Sequence, residues 1–368
     1  MEDLDRTVAL PRSPRRRRTA MAMAALCAAA PLGALIAPSP AAAQPSTSTA
    51  AFNSLTLESH PAWMGAVPDT AALGTLSVPG THDTLAIHGG SLFPDAFEAQ
   101  EDHGDSAATL DAQLAAGIRA VDIRVRVVKG AFTIHHTSVY QNANFDDVLI
   151  HARAFLSAHP SETILMDLHG ECDADTTEGG SGVSFIGSCA DDPNNTTTQD
   201  RITIFNGYVA KYPGLFYAPT VTGATPAGMP TLGQVRGHIV LTTFTGPRGG
   251  IYSGYGLAQL TTGNYGQYTE NDYQQCDLAK KWAEAQAGIA AAAADTAGDI
   301  YVTYTSASCA PFGANPAAMA GGYGGGAGEN QRLLDYLNAG KATRTGVVLM
   351  DYPGHSLVSA ILAREPAA

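Results

Sequence analysis

Three parts of the chain decide its fold: Ser77-Val-Pro-Gly-Thr-His-Asp-Thr84; Ala120-Val-Asp-Ile-Arg124, closely followed by Ile134-His-His136; and Val347-Val-Leu-Met-Asp-Tyr352. Each is an apolar run that ends in a histidine, an arginine or an aspartate. Buried parallel strands that carry functional side chains at their carboxyl ends show this pattern. We therefore expect these runs to be strands that meet at one site.

Strand-like and helix-like segments alternate over the rest of the chain. Helical spacing, as at Val148, Ala152, Phe155 and Leu156, predicts helices over 109–116, 145–159, 200–212, 278–294, 329–338 and 356–364. Apolar runs predict strands over 76–78, 120–127, 132–135, 163–168, 239–243, 300–305 and 347–350. Segments 172–198 and 313–328 are predicted loops, the second of them mobile. Because no linker divides the 368 residues, we expect one α/β domain with a parallel barrel.

The first 43 residues have the pattern of an export signal. Four arginines, Arg15 to Arg18, precede an apolar stretch over 20–37, and Ala41-Ala42-Ala43 is a small-residue cleavage site. A membrane anchor is the alternative, but the stretch is short and two prolines follow it. The arginines fit either the general or the twin-arginine route. We predict a secreted, extracellular protein with a signal over 1–43, a flexible leader over 44–60 and a catalytic barrel over 61–368.

The charge and the cysteines limit the partners. A net charge of −13 disfavours nucleic acid, because binding to phosphates needs clustered lysine and arginine. Cys27 lies in the predicted signal, and four cysteines remain. An even number in an exported chain predicts two disulfides, and among three possible connectivities we favour Cys172–Cys189 with Cys276–Cys309. A metal site of cysteines is disfavoured, since no C-x-x-C or paired Cys/His spacing occurs.

Two histidines are candidates for proton transfer. His82 follows a predicted strand directly, and His135-His136 ends another. Because side chains alternate across a strand, only one of that pair can face the site, and we favour His136. One histidine can then take a proton from a nucleophile while the other gives one to a leaving group.

The charged residues at the other strand ends complete this set. Asp122 and Arg124 point to the same face of their strand; a structural ion pair is one interpretation and a phosphate site the other. The fork-shaped guanidinium of Arg124 suits two phosphate oxygens. Asp351 is costly to bury without a partner such as a histidine. Asp83, next to His82, can orient the second histidine.

The combined motifs resemble those of the secreted bacterial phosphatidylinositol-specific phospholipases C with an X-type domain. The shared motifs are Pro79 to Thr84, Asp122-Ile123-Arg124, His135-His136, Pro160 to Ile164 and Met350-Asp351-Tyr352, in consistent order from about Trp63 to the carboxyl terminus. This resemblance implies a distorted, incompletely closed TIM-type (βα)8 barrel. It also implies cleavage of phosphatidylinositol to diacylglycerol and a cyclic inositol phosphate.

The resemblance implies a role for each catalytic residue. His82 is the general base on the inositol 2-hydroxyl, His136 the general acid, and Arg124 the phosphate ligand. Asp351 orients His82, and Asp83 assists His136. We expect a monomer that contacts the phospholipid membrane surface transiently, without a cofactor or a metal. A calcium site formed by Asp167, Glu171, Asp173 and Asp175 remains the alternative to a solvated acidic loop.

Departures from the family pattern concern the headgroup. His169 stands where the family has a lysine, and Phe244 or Thr245 where it has an arginine, with Arg248 a candidate substitute. We expect Asp272, His169, Arg248 and Asp122 to bind substrate. A phosphodiesterase for another headgroup is one alternative function. A catalytically weak inositol- or glycolipid-binding barrel is the other, but a binding protein has no need of paired proton donors and acceptors.

Overall fold

The computed structural model describes residues 47–90, 93–171, 197–217, 228–244, 255–257, 267–310 and 312–366. The strands in these residues are β1 (Ser77–Thr81), β2 (Ala120–Val128), β3 (Ala131–His136), β4 (Val139–Asn144), β5 (Ile164–Gly170), β6 (Ile239–Leu241), β7 (Gln267–Glu270), β8 (Ile300–Tyr304) and β9 (Gly346–Met350). The helices are α1 (Ser106–Ala116), α2 (Phe145–Ala158), α3 (Thr198–Lys211), α4 (Leu232–Val235), α5 (Leu278–Ala294), α6 (Pro316–Gly321), α7 (Glu329–Asn338) and α8 (His355–Leu362).

Parallel strands form the wall of an incompletely closed α/β barrel. Their order is β6-β5-β2-β1-β9-β8-β7, and each neighbouring pair is parallel. Within the residues described above, β6 and β7 are not paired with each other. A side-chain hydrogen bond joins this gap, since Thr269 Oγ1 donates to the Phe244 carbonyl at 3.1 Å. The predicted fold class is confirmed.

The Ile134-His-His136 segment lies on an antiparallel strand, so the prediction of a parallel strand was wrong here. Val125 of β2 is opposite Ile134 of β3. Lys129 and Gly130 connect them with φ of 51° and 77°, as a two-residue hairpin turn requires. So short a turn can join only antiparallel strands. The hairpin folds the chain back, so the end of β3 returns alongside the part of β2 around Val125.

Most predicted helices and strands are present, with ends shifted by a few residues. Asp105 starts α1 by accepting a hydrogen bond from the Ala108 amide, and Gly117 ends it with φ of 115°. Two strands, β4 and β7, were not predicted because their sequences are short and polar. The predicted mobile loop over 313–328 contains the helix α6, which begins at Pro316 after an Asn315 cap.

Part of the predicted flexible leader packs against the barrel. Phe52 and Leu55 are buried, and Phe52 pairs with Pro353 through an isolated bridge. The prediction weighed the Ser/Thr/Ala content before residue 52 and missed the apolar residues that follow. The export signal over 1–43 lies outside the described residues. Within those residues, no helix has the length and apolarity needed to cross a membrane.

The barrel interior sets the position of the loop that follows β1. Neighbouring strands fill the interior with apolar side chains, among them Val78, Ala120, Leu165, Val240, Val302 and Leu349. Gly80 lies between two of these, and a methyl group there would lie 2.6 Å from Leu349 Cδ2 and 2.7 Å from Ala120 Cβ. Because His82 follows two residues later, this tight packing determines where its ring lies.

Gly80→Ala is expected to lower the free energy of unfolding by about 1–3 kcal/mol, since overpacking a core costs that much. Urea unfolding followed by circular dichroism measures the change. Gly207→Ala in α3 is the matched control, because nothing lies within 4 Å of its added methyl. The control should be neutral or gain up to about 1 kcal/mol, as alanine is the better helix former. Wild-type stability of Gly80→Ala would contradict the tight contact.

Candidate active site

His82 and Asp351 directly follow two neighbouring strands, β1 and β9, and lie side by side. β1 and β9 are parallel with Thr81 opposite Met350, so the next residue of each strand meets its counterpart. His82 Nδ1 lies 2.9 Å from Asp351 Oδ1, and both side chains are buried. The structure thus forms the predicted pair and leaves His82 Nε2 for other partners.

One carboxylate oxygen of Asp83 joins the site. Its Oδ2 lies 3.2 Å from His136 Nε2, 3.2 Å from Arg124 Nη1 and 3.9 Å from His82 Nε2. Asp83 adopts φ of 44°, a left-handed conformation that aspartate tolerates better than most residues. Its amide donates to Asp122 Oδ2 at 3.0 Å, which fixes the turn. Two histidines and an arginine therefore converge on a single oxygen.

The two adjacent histidines have different surroundings. The Nδ1–H of His136 donates to the Phe97 carbonyl at 3.0 Å, since a carbonyl can only accept. Its other nitrogen, Nε2, lies 3.2 Å from Asp83 Oδ2. His135 lies beside Thr133 and packs on Tyr140 at 5.4 Å between ring centres. His136, as predicted, is the one at the site.

Arg124 is held by three carboxylates. Its Nη2 lies 3.0 Å from Asp122 Oδ2, and its Nη1 lies 3.1 Å from Glu171 Oε1 and 3.2 Å from Asp83. The Arg124 side chain is 18% exposed, more than its partners, so the site opens at the guanidinium. Asp122, predicted to bind substrate, is buried and bonded to Arg124 and to the Asp83 amide. Its role in substrate binding stays a prediction, and its contacts in the structure are with Arg124 and the turn at Asp83.

Burial and charge separate the protonation states of the cluster. Burial, followed by the charge of Arg124, lowers the pKa of His82 well below its usual range. Burial raises the pKa of Asp83 to about 6, against the opposing charge of Arg124. Burial also raises the pKa of Asp351. For Asp122, burial raises the pKa, but the charge of Arg124, the charge of His82 and the hydrogen bond from Arg124 together outweigh it, and the pKa falls below its usual range. His82 is therefore held neutral, as a proton acceptor must be.

The other residues predicted to bind substrate do not all lie within the described cluster. His169 of β5 pairs in register with Arg124 and is partly exposed. Asp272 is exposed, after the end of β7. Phe244 is buried in the core, so it cannot take the place of a substrate-binding cation. Arg248 lies outside the described residues.

The structure tests the cysteine and metal predictions in part. Cys276 and Cys309 form the predicted disulfide, whereas Cys172 and Cys189 lie outside the described residues. The proposed calcium ligands Asp173 and Asp175 also lie outside them, and Glu171 contacts Arg124. Among the described residues no group of three or more His, Cys, Asp or Glu is arranged to hold a metal ion.

Sequence reasoning missed several residues that contact the site. The Tyr273 ring centre lies 4.9 Å from that of His82, and the Tyr304 ring packs edge-on at 5.8 Å. Gln100 Nε2 donates to the carbonyls of His82 and Met350, which ties the ends of β1 and β9 together. Tyr304 ends a predicted strand, and this was a usable signal. Gln100 lies in a polar loop, so its sequence gave none.

The fold and the site define an α/β barrel in which two histidines and an arginine meet around one aspartate. The family described as "Phosphatidylinositol-specific phospholipase C, X domain" matches residues 96–180. A 1-phosphatidylinositol phosphodiesterase of Listeria monocytogenes is 27% identical over 307 residues, which is 82% of this chain and 83% of the relative. One of Staphylococcus aureus is 25% identical over 316 residues, 80% and 88% of the two chains. The chain is thus similar to bacterial phosphatidylinositol-specific phospholipases C.

Solved structures agree with the fold. The phosphatidylinositol-specific phospholipase C of Listeria monocytogenes has a TM-score of 0.62 at 24% identity, covering 84% of this chain and 100% of its own. That of Staphylococcus aureus has a TM-score of 0.63 at 22% identity, covering 85% and 99%. These likenesses establish the barrel.

Asp83→Asn should change the pH dependence of stability. The raised pKa of Asp83, about 6, lies above the value of 3.8 that serves for the unfolded chain. The wild type therefore loses stability as pH rises from about 4 through about 6, whereas asparagine does not titrate. The variant should gain roughly 3 kcal/mol relative to wild type between pH 4 and pH 8, at about 1.4 kcal/mol per pKa unit.

Urea unfolding at the two pH values measures this gain. Asp102→Asn, at an exposed aspartate, is the control and should show no such change. A difference between Asp83→Asn and wild type that stays constant with pH would show that Asp83 is not destabilised by its charge.

Proposed function

We propose that the protein cleaves phosphatidylinositol to diacylglycerol and 1,2-cyclic inositol phosphate by metal-independent acid–base catalysis. The observation that carries this proposal is the convergence of His82, Arg124 and His136 on Asp83 Oδ2. A base, a cation for phosphate and an acid then surround one point. The relatives named 1-phosphatidylinositol phosphodiesterase support the choice of substrate.

His82 acts as the base. The hydrogen bond to Asp351 Oδ1 places the ring proton on Nδ1, which leaves the Nε2 lone pair free to accept a proton. Burial keeps the ring neutral by lowering its pKa. Nε2 takes the proton of the inositol 2-hydroxyl, whose oxygen attacks the adjacent phosphorus. Because nucleophile and phosphorus belong to one molecule, the attack is favoured by proximity.

His136 acts as the acid. The Phe97 carbonyl accepts from its Nδ1–H, which fixes the ring with Nε2 toward Asp83 and the centre of the site. As the bond from phosphorus to the glycerol oxygen breaks, Nε2–H gives its proton to that oxygen, and diacylglycerol leaves. Distinct environments for two titratable groups are the usual sign of an acid–base pair.

Arg124 binds the phosphate. Its planar fork can donate to two non-bridging oxygens, and its exposed edge faces the opening of the site. In the described structure Nη1 contacts Asp83 and Glu171, so a phosphodiester competes with these carboxylates for the same donors. Asp122 keeps the guanidinium in place from its buried side.

Headgroup recognition is assigned to His169, Asp272 and Arg248. His169 lies beside Arg124 in the sheet, and Asp272 precedes Tyr273, which packs on His82. A related phosphodiesterase with another headgroup would keep the same chemistry and differ at these positions. A weak inositol-binding barrel would not need the separated protonation states of His82 and Asp83.

The direct test is an assay of purified protein on vesicles of phosphatidylinositol, followed by phosphorus NMR. We expect a five-membered cyclic phosphate before any monophosphate, with full activity in the presence of a chelator. Phosphatidylcholine vesicles are the control, since choline lacks a neighbouring hydroxyl. Cleavage of phosphatidylcholine alone, or a linear product with no cyclic species, would contradict internal attack.

His136→Ala should reduce kcat at least about 10²-fold, the usual minimum for loss of a general acid. His135→Ala is the matched control, because this neighbour lies beside Thr133 and Tyr140 rather than Asp83. It should keep kcat within about threefold, a change of under 1 kcal/mol in barrier. Steady-state kinetics on both variants give the ranking, and the reverse order would exclude His136 as the acid.

A membrane contact lies next to the site. The Phe312 and Phe93 side chains are 85% and 37% exposed, and their rings pack edge-on at 5.9 Å. Phe93 leads into the segment whose Phe97 carbonyl accepts from His136, and Phe312 follows the disulfide loop after β8. Exposed apolar groups of this kind mark contact surfaces, and aromatic rings suit the membrane interface. We infer that this pair inserts transiently while the secreted monomer cleaves its substrate.

Phe312→Ser should weaken binding to phosphatidylinositol vesicles about tenfold, since exposing one large apolar side chain in place of burying it costs about 1.5–3 kcal/mol. Vesicle sedimentation measures the binding. Leu57→Ser is the control, because Leu57 is 72% exposed on the outer layer beside α1 and α8. Equal vesicle binding by the two variants would rule out the aromatic pair as the membrane contact.

A further inference from the structure

The Cys276–Cys309 disulfide joins two segments at the rim of the barrel. Cys276 lies between β7 and α5, and Cys309 follows β8, 33 residues later. Cys276 is exposed, and Cys309 is partly exposed. The bond is therefore accessible to a reductant, and it connects segments that border His82.

A small separate cluster surrounds the disulfide; we name it the rim cluster. Its apolar part consists of Leu278, Ala307, Ala314, Ala318 and Met319, with Tyr323 packed against them. Tyr323 Oη donates to the Cys276 carbonyl at 2.7 Å, and the Ser308 amide donates to the Tyr273 carbonyl at 2.9 Å. Because its apolar part is mostly alanine, the rim cluster buries little area by itself.

The segment before Cys276, next to the rim cluster, carries the ring that covers His82. Tyr273 precedes Cys276 by three residues, and its ring centre lies 4.9 Å from that of His82. Tyr304 lies against His82 as well, at 5.8 Å, but it belongs to β8 and is buried in the barrel core. His82 is only 2% exposed. Two rings thus cover His82. Tyr304 belongs to the barrel core, and Tyr273 lies on the rim segment that contains Cys276.

We propose that the Cys276–Cys309 disulfide is a positioning element of the active site, which holds Tyr273 against His82 and whose reduction slows catalysis. The inference rests on the proposed function of His82 as the base. Reduction by a dithiol transfers two electrons and two protons to the sulfur pair, giving two cysteine thiols and the cyclic disulfide of the reductant. Without the covalent link, weak contacts alone restrain Tyr273.

The position of Tyr273 has a measurable signature in the pH profile. Water that reaches His82 after the ring moves away would raise the pKa of His82 toward its usual value, since burial is the first cause of its depression. The base would then be protonated over a wider range, so the acidic limb of kcat/KM moves to higher pH. The charged and titratable groups around His82 in the intact site are Asp83, Asp122, Arg124, His136, Tyr273, Lys281, Tyr304 and Asp351.

The experiment compares wild type, wild type with dithiothreitol, and the double variant C276S/C309S on monomeric short-chain phosphatidylinositol. This soluble substrate removes any contribution of membrane binding. We expect kcat/KM to fall at least about tenfold in both altered forms, since small displacements around a reacting centre cost up to about 10²-fold. The acidic limb should move upward in both. Dithiothreitol should have no further effect on C276S/C309S, which separates this bond from the other cysteines.

Two further variants keep the inference testable. Gln274→Ala changes an exposed side chain in the same segment, keeps the disulfide and should retain wild-type kinetics. Tyr273→Ala keeps the disulfide and removes the ring, so it should shift the acidic limb even if C276S/C309S does not fold. A wild-type pH profile in Tyr273→Ala, or full activity of reduced wild type, would overturn the inference.

Hydrogen exchange provides a readout independent of turnover. On reduction, amides over 271–278 and 306–315 should lose protection, while those of β1, β2 and β9 keep it. If wild type does not cleave phosphatidylinositol, the proposed function fails, and this exchange pattern with an NMR titration of His82 still decides the role of the disulfide. Unchanged protection at the rim after reduction would rule that role out.

Discussion

The parallel pairing of β1 with β9 is the constraint on which the rest of the site depends. Thr81 lies opposite Met350, so His82 and Asp351 meet without any freedom of loop conformation. A shift of one residue in the register of β9 against β1 would turn the two side chains away from each other, because side chains alternate along a strand. Gln100 secures the same pair of strand ends through their carbonyls. The sheet itself therefore sets the contact between these two side chains.

Burying so many charges in one place is expensive, and the arrangement shows how the cost is reduced. Arg124 neutralises Asp122 most fully, which allows that carboxylate to stay ionised without access to water. Asp83 is less well compensated, and burial raises its pKa to about 6. Because the charge of Asp122 is neutralised more fully than that of Asp83, Asp122 holds the guanidinium firmly, whereas the contacts of Asp83 can be exchanged. Such exchange is what entry of a phosphodiester requires.

The sequence was sufficient for features that depend on local pattern. Apolar runs located the barrel strands, and strand alternation indicated that only one of His135 and His136 can face the site. It failed where the outcome depends on long-range contacts. It also failed at β3, whose antiparallel course follows from the local two-residue turn at Lys129 and Gly130. Gln100 and Tyr273 lie in loops, and the composition of a loop does not predict which distant residues it contacts.

Chemistry and recognition are built on different parts of this fold. His82, Arg124 and Asp351 stand at strand ends, where the hydrogen-bonded sheet limits their movement. Tyr273 and Phe312 stand on rim segments with a small apolar cluster of their own. Segments with so little buried area depend on additional links to keep one conformation, and the Cys276–Cys309 disulfide is such a link. The rim segments can therefore vary without altering the strand pairing, but the contact of Tyr273 with His82 ties the rim to the site.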